Sequence, residues 1–144
     1  MRIQLVQNLH KLNCARGCAY DEQGNHTQAM VDFNKAIELN INFAEAYYNR
    51  GIGYAEQGNL VQAIANYNKA IELRINFAEA YINRGIAYLK QGNYMQAIED
   101  FTKTISLNPK LAAAYQTRGF AYKIMGNIQK ANADFAKAKE LSGK

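Results

Sequence analysis

Histidine is scarce in this 144-residue chain, with His10 and His26 as its only two. No histidine–carboxylate–serine pattern stands out around them, and no phosphate-binding loop is present. The convergent groups that catalysis needs are missing, so the chain is not expected to be an enzyme. Cysteine is equally sparse. Cys14 and Cys18 stand four residues apart, a spacing on one helix that suits a disulfide poorly. Free thiols point to a reducing compartment, and the expected location is cytoplasmic; an exported form with a trimmed signal fits the same residues. The opening MRIQLVQNL lacks the long apolar core and small-residue cleavage site of a signal peptide. No apolar run is long enough to span a bilayer, so membrane insertion is not expected. Acidic residues thin out toward the C-terminus. Residues 101–144 carry eight Lys/Arg against two Asp/Glu, whereas residues 1–100 carry nine against ten. Such a basic end would attract an acidic partner or nucleic acid. Its simpler reading is a solvated face, and without a base-reading pattern RNA binding is only a minor alternative.

What is abundant is repetition. Gly17, Gly51, Gly85 and Gly119 follow one another at 34 residues, and so do Tyr20, Tyr54, Tyr88 and Tyr122. Arg16, Arg50, Arg84 and Arg118 keep the same step, as do Gly24, Gly58, Gly92 and Gly126 and the alanines 29, 63, 97 and 131. A fixed period of this size marks a repeat architecture. With Ala44 as position 1, the repeats are 10–43, 44–77, 78–111 and 112–144, after a leader of residues 1–9.

Each repeat reads as two helices. Tyr47, Gly51 and Tyr54 share one helical face, and Ala63, Tyr67 and Ala70 share another. Between them lies Gly58-Asn59, which recurs as Gly24-Asn25, Gly92-Asn93 and Gly126-Asn127. Glycine ends one helix in the left-handed conformation and asparagine caps the next. Glycine inside the first helix costs about 1 kcal/mol against alanine. Its recurrence implies that two helix backbones approach closely, with Ala63 opposite and the aromatics Phe33, Tyr67, Phe101 and Phe135 filling the gap. One helix pair cannot bury its apolar face alone, so the pairs must stack.

These residues resemble the tetratricopeptide repeat family: Tyr47, Gly51, Tyr54, Ala63, Tyr67 and Ala70 occupy the places of its motif, and the match covers residues 10–144. The resemblance implies an all-α superhelix, a solenoid of four stacked 34-residue helix-turn-helix repeats in a single domain over 1–144. There are departures. Proline, usual near the end of each repeat, is present only as Pro109, with Ile41 and Ile75 at the equivalent places. Asn13 stands where the other repeats have tyrosine.

Arg16 and its equivalents are expected to pair with position 23 of the second helix (Asp32, Asn66, Asp100 and Asp134), with their stems packed beside tyrosine. His10, Cys14 and Cys18 lie at i, i+4 and i+8, and their types suit zinc. A fourth ligand is wanting, Asp21 or His26 being out of ready reach, and packed thiols are usually inert. No metal and no cofactor are expected. At the ends, Asn132 and Lys139 replace the apolar residues of the earlier repeats (Met30, Ile64 and Ile98; Ile37, Ile71 and Ile105). The last helix is therefore expected to face solvent near the end of the array. Ile3, Leu5 and Leu9 align with Ile71, Leu73 and Phe77. The leader is then either the tail of an upstream repeat, which would make the chain a fragment of a longer array, or a helical extension over the first.

The resemblance further implies that first helices line a concave surface that binds peptides or helices. Helical spacing places repeat positions 2, 5, 6, 9 and 12 on that face. The candidate partner-binding stripe is Tyr48, Ile52, Ile82, Ile86, Leu89 and Phe120, with Asn49, Asn83 and Gln116 beside it. Asparagine can bond a peptide backbone as donor and acceptor. Ile52 and Ile86 are expected one repeat apart on one surface; the competing reading is that they are ordinary core. One branch of the family grips a chaperone's C-terminal carboxylate with basic and asparagine side chains. Here the basic places hold Cys14, Glu79 and Asn83, or Tyr48, Ala113 and Thr117, so that clamp is missing. The expected function is a protein-interaction scaffold for a peptide or helix. The alternative is self-association into a homo-oligomer through the groove or the N-terminal end.

Overall fold

The computed structural model describes residues 2–143, with the backbone alone for residues 2–7. The comparison of Ile3 and Leu5 with a repeat tail falls on side chains outside the described residues. Among the described residues there are eight helices and no strand: α1 (Arg2–Glu22), α2 (His26–Leu39), α3 (Ala44–Glu56), α4 (Leu60–Leu73), α5 (Ala78–Lys90), α6 (Tyr94–Leu107), α7 (Ala112–Ile124) and α8 (Ile128–Ser142). The 34-residue period is an all-α helical repeat of the solenoid class. Each odd-numbered helix packs against the one that follows it, forming a hairpin.

The turns are made as the Gly-Asn pair requires. Gly24, Gly58, Gly92 and Gly126 take φ of 80°, 77°, 82° and 84°, a region closed to most side chains. Asn25, Asn59 and Asn127 then accept the backbone N–H of Gln28, Gln62 and Lys130. Asn93 departs from the pattern: its amide donates to Gln91 Oε1 at 3.3 Å and makes no cap bond.

Inside each hairpin the mid-helix glycine seats an aromatic ring on bare backbone. A Cβ on Gly17 would lie 2.6 Å from Phe33 Cε1, and one on Gly51 would lie 2.7 Å from Tyr67 Cε1. The same Cβ on Gly85 would meet Phe101 at 2.6 Å, and on Gly119 Phe135 at 2.8 Å. The ring itself therefore occupies the space that glycine opens, while the Ala63 carbonyl oxygen stands a little behind at 3.3 Å. Phe33, Tyr67 and Phe101 are fully buried. Burying each contributes about 1.5–3 kcal/mol, which exceeds the helix propensity that glycine forgoes.

The arginines bond across the hairpin as expected. Arg16 reaches both carboxylate oxygens of Asp32 at 2.9 and 2.7 Å, Arg84 those of Asp100 at 2.8 and 2.7 Å, and Arg118 those of Asp134 at 2.8 and 2.8 Å. Arg50 donates to the neutral Asn66 at 2.7 Å. Burial pushes the Asp100 carboxyl above its ordinary range, against the pull of Arg84. The same guanidinium groups lie over tyrosine rings: Arg84 over Tyr81 at 5.5 Å and Arg118 over Tyr115 at 5.8 Å.

The hairpins gather into two compact units, Met1–Ile75 and Asn76–Lys144. In the first, α2 packs on α3 and α1 also touches α3 around a core of Cys14, Ala29, Phe33, Ala36 and Ala46. Arg50 ties the two hairpins by donating to Asn34 at 3.0 Å. In the second, α6 packs on α7 and α5 also touches α7, with Ala97, Phe101 and Ala121 at the centre. There Arg118 donates to Thr102 at 3.2 Å, the same tie two repeats on. Asn132 and Lys139 are exposed on α8, whereas Ile98 and Ile105, their counterparts on α6, are half-buried.

Candidate functional site

The candidate residues fall in both units, and each unit has its own first-helix face. In the first unit Tyr48, Asn49 and Ile52 on α3 are half-buried. The Tyr48 ring tilts against the buried Tyr67 ring, with centroids 6.1 Å apart. Asn49 turns inward, its amide donating to Cys14 Sγ at 3.3 Å. The side chain read from sequence as a ligand-backbone partner thus already bridges α3 to α1. Beside it α1 and α3 enclose a cavity of about 390 Å³, lined by Lys11, Cys14, Cys18, Phe43, Glu45 and Asn49. Lys11 and Glu45 bring opposite charges to its wall. They sit at repeat position 2, already on the predicted face, yet only the tertiary contact brings them to one cavity.

In the second unit Ile82, Asn83, Ile86 and Leu89 on α5 are half-buried, while Gln116 and Phe120 on α7 are exposed. Ile82, Ile86 and Leu89 pack against the Ala97–Phe101–Ala121 cluster. They are partly core, and only their uncovered portions remain to meet a ligand. Phe120 differs, with 51% of its surface open. Gln116 lines a cavity of about 410 Å³ with Ala112, Ala113, Phe135, Ala138 and Lys139.

The residues with metal-ligand chemistry have other engagements. His10 is buried with its ring edge-on to Phe43 at 4.7 Å, and its Nε2 lies 3.4 Å from Asn40 Nδ2. Burial pushes the Cys14 thiol up to about 11, against the opposing bond from Asn49, and burial likewise raises Cys18. A thiol held protonated is a poor nucleophile and a poor metal ligand. His26 Nδ1 lies 2.6 Å from Asp21 Oδ1 and 3.5 Å from Glu56 Oε2, a cluster that joins the ends of α1, α2 and α3. The hydrogen bond to Asp21 holds the imidazole above its ordinary value of 6.5. This three-residue grouping depends on the hairpin turn and is not visible from spacing. No described helix is long and apolar enough to cross a membrane.

Comparison with known families places the geometry. Models described as tetratricopeptide repeat match residues 78–111 and 112–144, and one described as TPR repeat matches 17–58 and 53–92. A crystal structure of MamA is 32% identical, with a TM-score of 0.88 over 95% of this chain and 80% of that one. MamA 41-end from Desulfovibrio magneticus RS-1 is 24% identical, with a TM-score of 0.85 over 94% and 76%. The first TPR of Spaghetti (RPAP3), bound to HSP90 peptide SRMEEVD, is 19% identical, with a TM-score of 0.81 over 83% and 94%. The last two, at that identity, share the fold alone. No curated protein matches the chain.

Proposed function

This chain belongs to the tetratricopeptide repeat family, and on that premise we propose that it is a scaffold that holds a peptide or short helix on its first-helix faces. The observation that carries the reading is the second unit's exposed Phe120 on α7, with the half-buried Ile82, Ile86 and Leu89 on α5, the helix that touches α7. Apolar area left open beside a rigid, packed base is what a docking peptide needs in order to desolvate. The first TPR of Spaghetti (RPAP3), which shares this fold, is bound to an HSP90 peptide. The ligand here is of another kind. Where the chaperone-tail clamp needs basic groups this chain has Cys14, Glu79 and Asn83, so apolar contact rather than carboxylate capture supplies the affinity.

A random-peptide display selected on the whole chain tests this. Selected peptides should lose at least about tenfold in affinity on Phe120→Glu and on Ile86→Glu, since a carboxylate placed in an apolar contact is costly to desolvate. Both variants should keep a cooperative thermal transition. Peptides that bind both variants as they bind the parent would overturn the reading, as would collapse of the fold in Phe120→Glu.

A further inference from the structure

The second unit carries an apolar cleft on a different surface from the first-helix face. It measures about 430 Å³ and lies where α6 meets the α7–α8 turn, lined by Met95, Ile98, Tyr122 and Met125, with Glu99 and Lys130 at its rim. Met95 is 71% and Met125 48% exposed. The equivalent places in the first unit hold Thr27 for Met95, Gln57 for Met125 and Gln62 for Lys130. The same fold is therefore built without these apolar side chains, and packing does not account for them. The turn itself changes in the same direction: Ile124-Met125 stands where the other hairpins have Glu22-Gln23, Glu56-Gln57 and Lys90-Gln91. Meanwhile α8 becomes more polar at Asn132 and Lys139, so the turn runs against the trend of its own hairpin.

We propose that this cleft is a second docking surface, which takes an apolar side chain of an acidic peptide. Charge selects the occupant. Residues 101–133 hold Lys103, Lys110, Lys123 and Lys130 and no acidic residue; their one further charge, Arg118, is paired with Asp134. Glu99 is the one carboxylate at the cleft. Nearby Asp100 is bonded to Arg84 and Asp134 to Arg118. Lys130 stands over the Tyr122 ring at 5.4 Å, a cation at the mouth of the apolar cleft. Two methionines give the cleft walls that adapt to the side chain entering them. A concave site of this size accommodates a single side chain, whereas the plane of a bilayer would meet only its rim.

The test uses a fluorescein-labelled helical peptide with leucine on one face and glutamate on the other, the same peptide with lysine for glutamate, and phosphatidylserine-rich vesicles. The acidic peptide should bind the whole chain at low salt and the basic peptide should bind at least tenfold more weakly. Met95→Thr/Met125→Gln restores the first unit's residues and so should fold unchanged by circular dichroism while weakening the acidic peptide about tenfold. Lys130→Gln should flatten the salt dependence. Equal binding of acidic and basic peptides would overturn the proposal. So would a double variant that binds the acidic peptide like the parent, or vesicle binding that alone depends on Met95 and Met125. Because neither methionine lies on the first-helix face, these outcomes leave the proposed groove function untouched.

Discussion

Arg16 in the first hairpin and Arg118 in the last make the same two-point bond to a buried aspartate, yet the Arg16 side chain is 59% exposed and that of Arg118 only 18%. Neighbouring side chains make the difference: Arg118 lies over the Tyr122 ring at 5.9 Å and donates to Thr102 at 3.2 Å. Tyr115 covers the Arg118 guanidinium with its ring and donates its hydroxyl to the Pro109 carbonyl at 3.0 Å, closing the preceding loop. Asn13 has no ring to offer: its amide donates to Leu9 of its own helix at 2.8 Å, and its oxygen accepts from Arg16 at a long 3.5 Å. The aspartates are buried in both hairpins because helix pairing buries them, while the outer face of the arginine depends on which side chains stand around it. A motif can thus be complete in its hydrogen bonds and still differ in how much water reaches it.

The comparison breaks most severely at what the two hairpins share. Gly17→Leu and Gly119→Leu should each cost about 2 kcal/mol or more, because the added side chain must displace the Phe33 or Phe135 ring from packed backbone. Urea denaturation measures both. A cost near zero at either site would show that its ring is not seated as described. The tyrosine comes next. Tyr115→Asn, which gives the last hairpin the residue of the first, should cost about 1 kcal/mol from the lost cation–ring contact and loop bond. The reverse change, Asn13→Tyr, should stabilise by less, because Arg16 starts from a solvated state and gives up its bond to Asn13. If the two changes have the same sign, the aromatic cover is not what separates the hairpins.

The smallest effect lies at the turn, where His26 in the first hairpin corresponds to Ile128 in the last. With its folded value raised above 6.5 by Asp21, His26 adds stability that is fully present below pH 6.5 and is lost as pH rises through the folded value. An NMR titration of His26 should give a midpoint above 6.5, and Asp21→Asn should bring it down. A midpoint at or below 6.5 in the parent would rule out the charge-assisted contact.

Legibility in the sequence followed the range of the interaction. The helix pairs, the Gly-Asn turns, the glycine seats and the arginine–aspartate bonds could be read at a distance because each joins residues at a spacing that recurs every 34 positions. Periodicity reports the face of a helix directly. It does not report what a neighbouring helix leaves uncovered. Ile82, Ile86 and Leu89 read as one stripe with Phe120, but the α6–α7 packing covers part of the three and leaves Phe120 open. Asn49 was legible as a polar edge, while its turn toward Cys14 depends on how α1 lies against α3. The cleft at Met95 and Met125 joins residues 30 apart, in different hairpins, whose apolar character only matters once α6 and the α7–α8 turn have met. The chain alone therefore determined the elements and their pairing, because those rest on local spacing and backbone conformation. The tertiary structure decided which apolar surface stays available, because exposure is what remains after every other helix has packed.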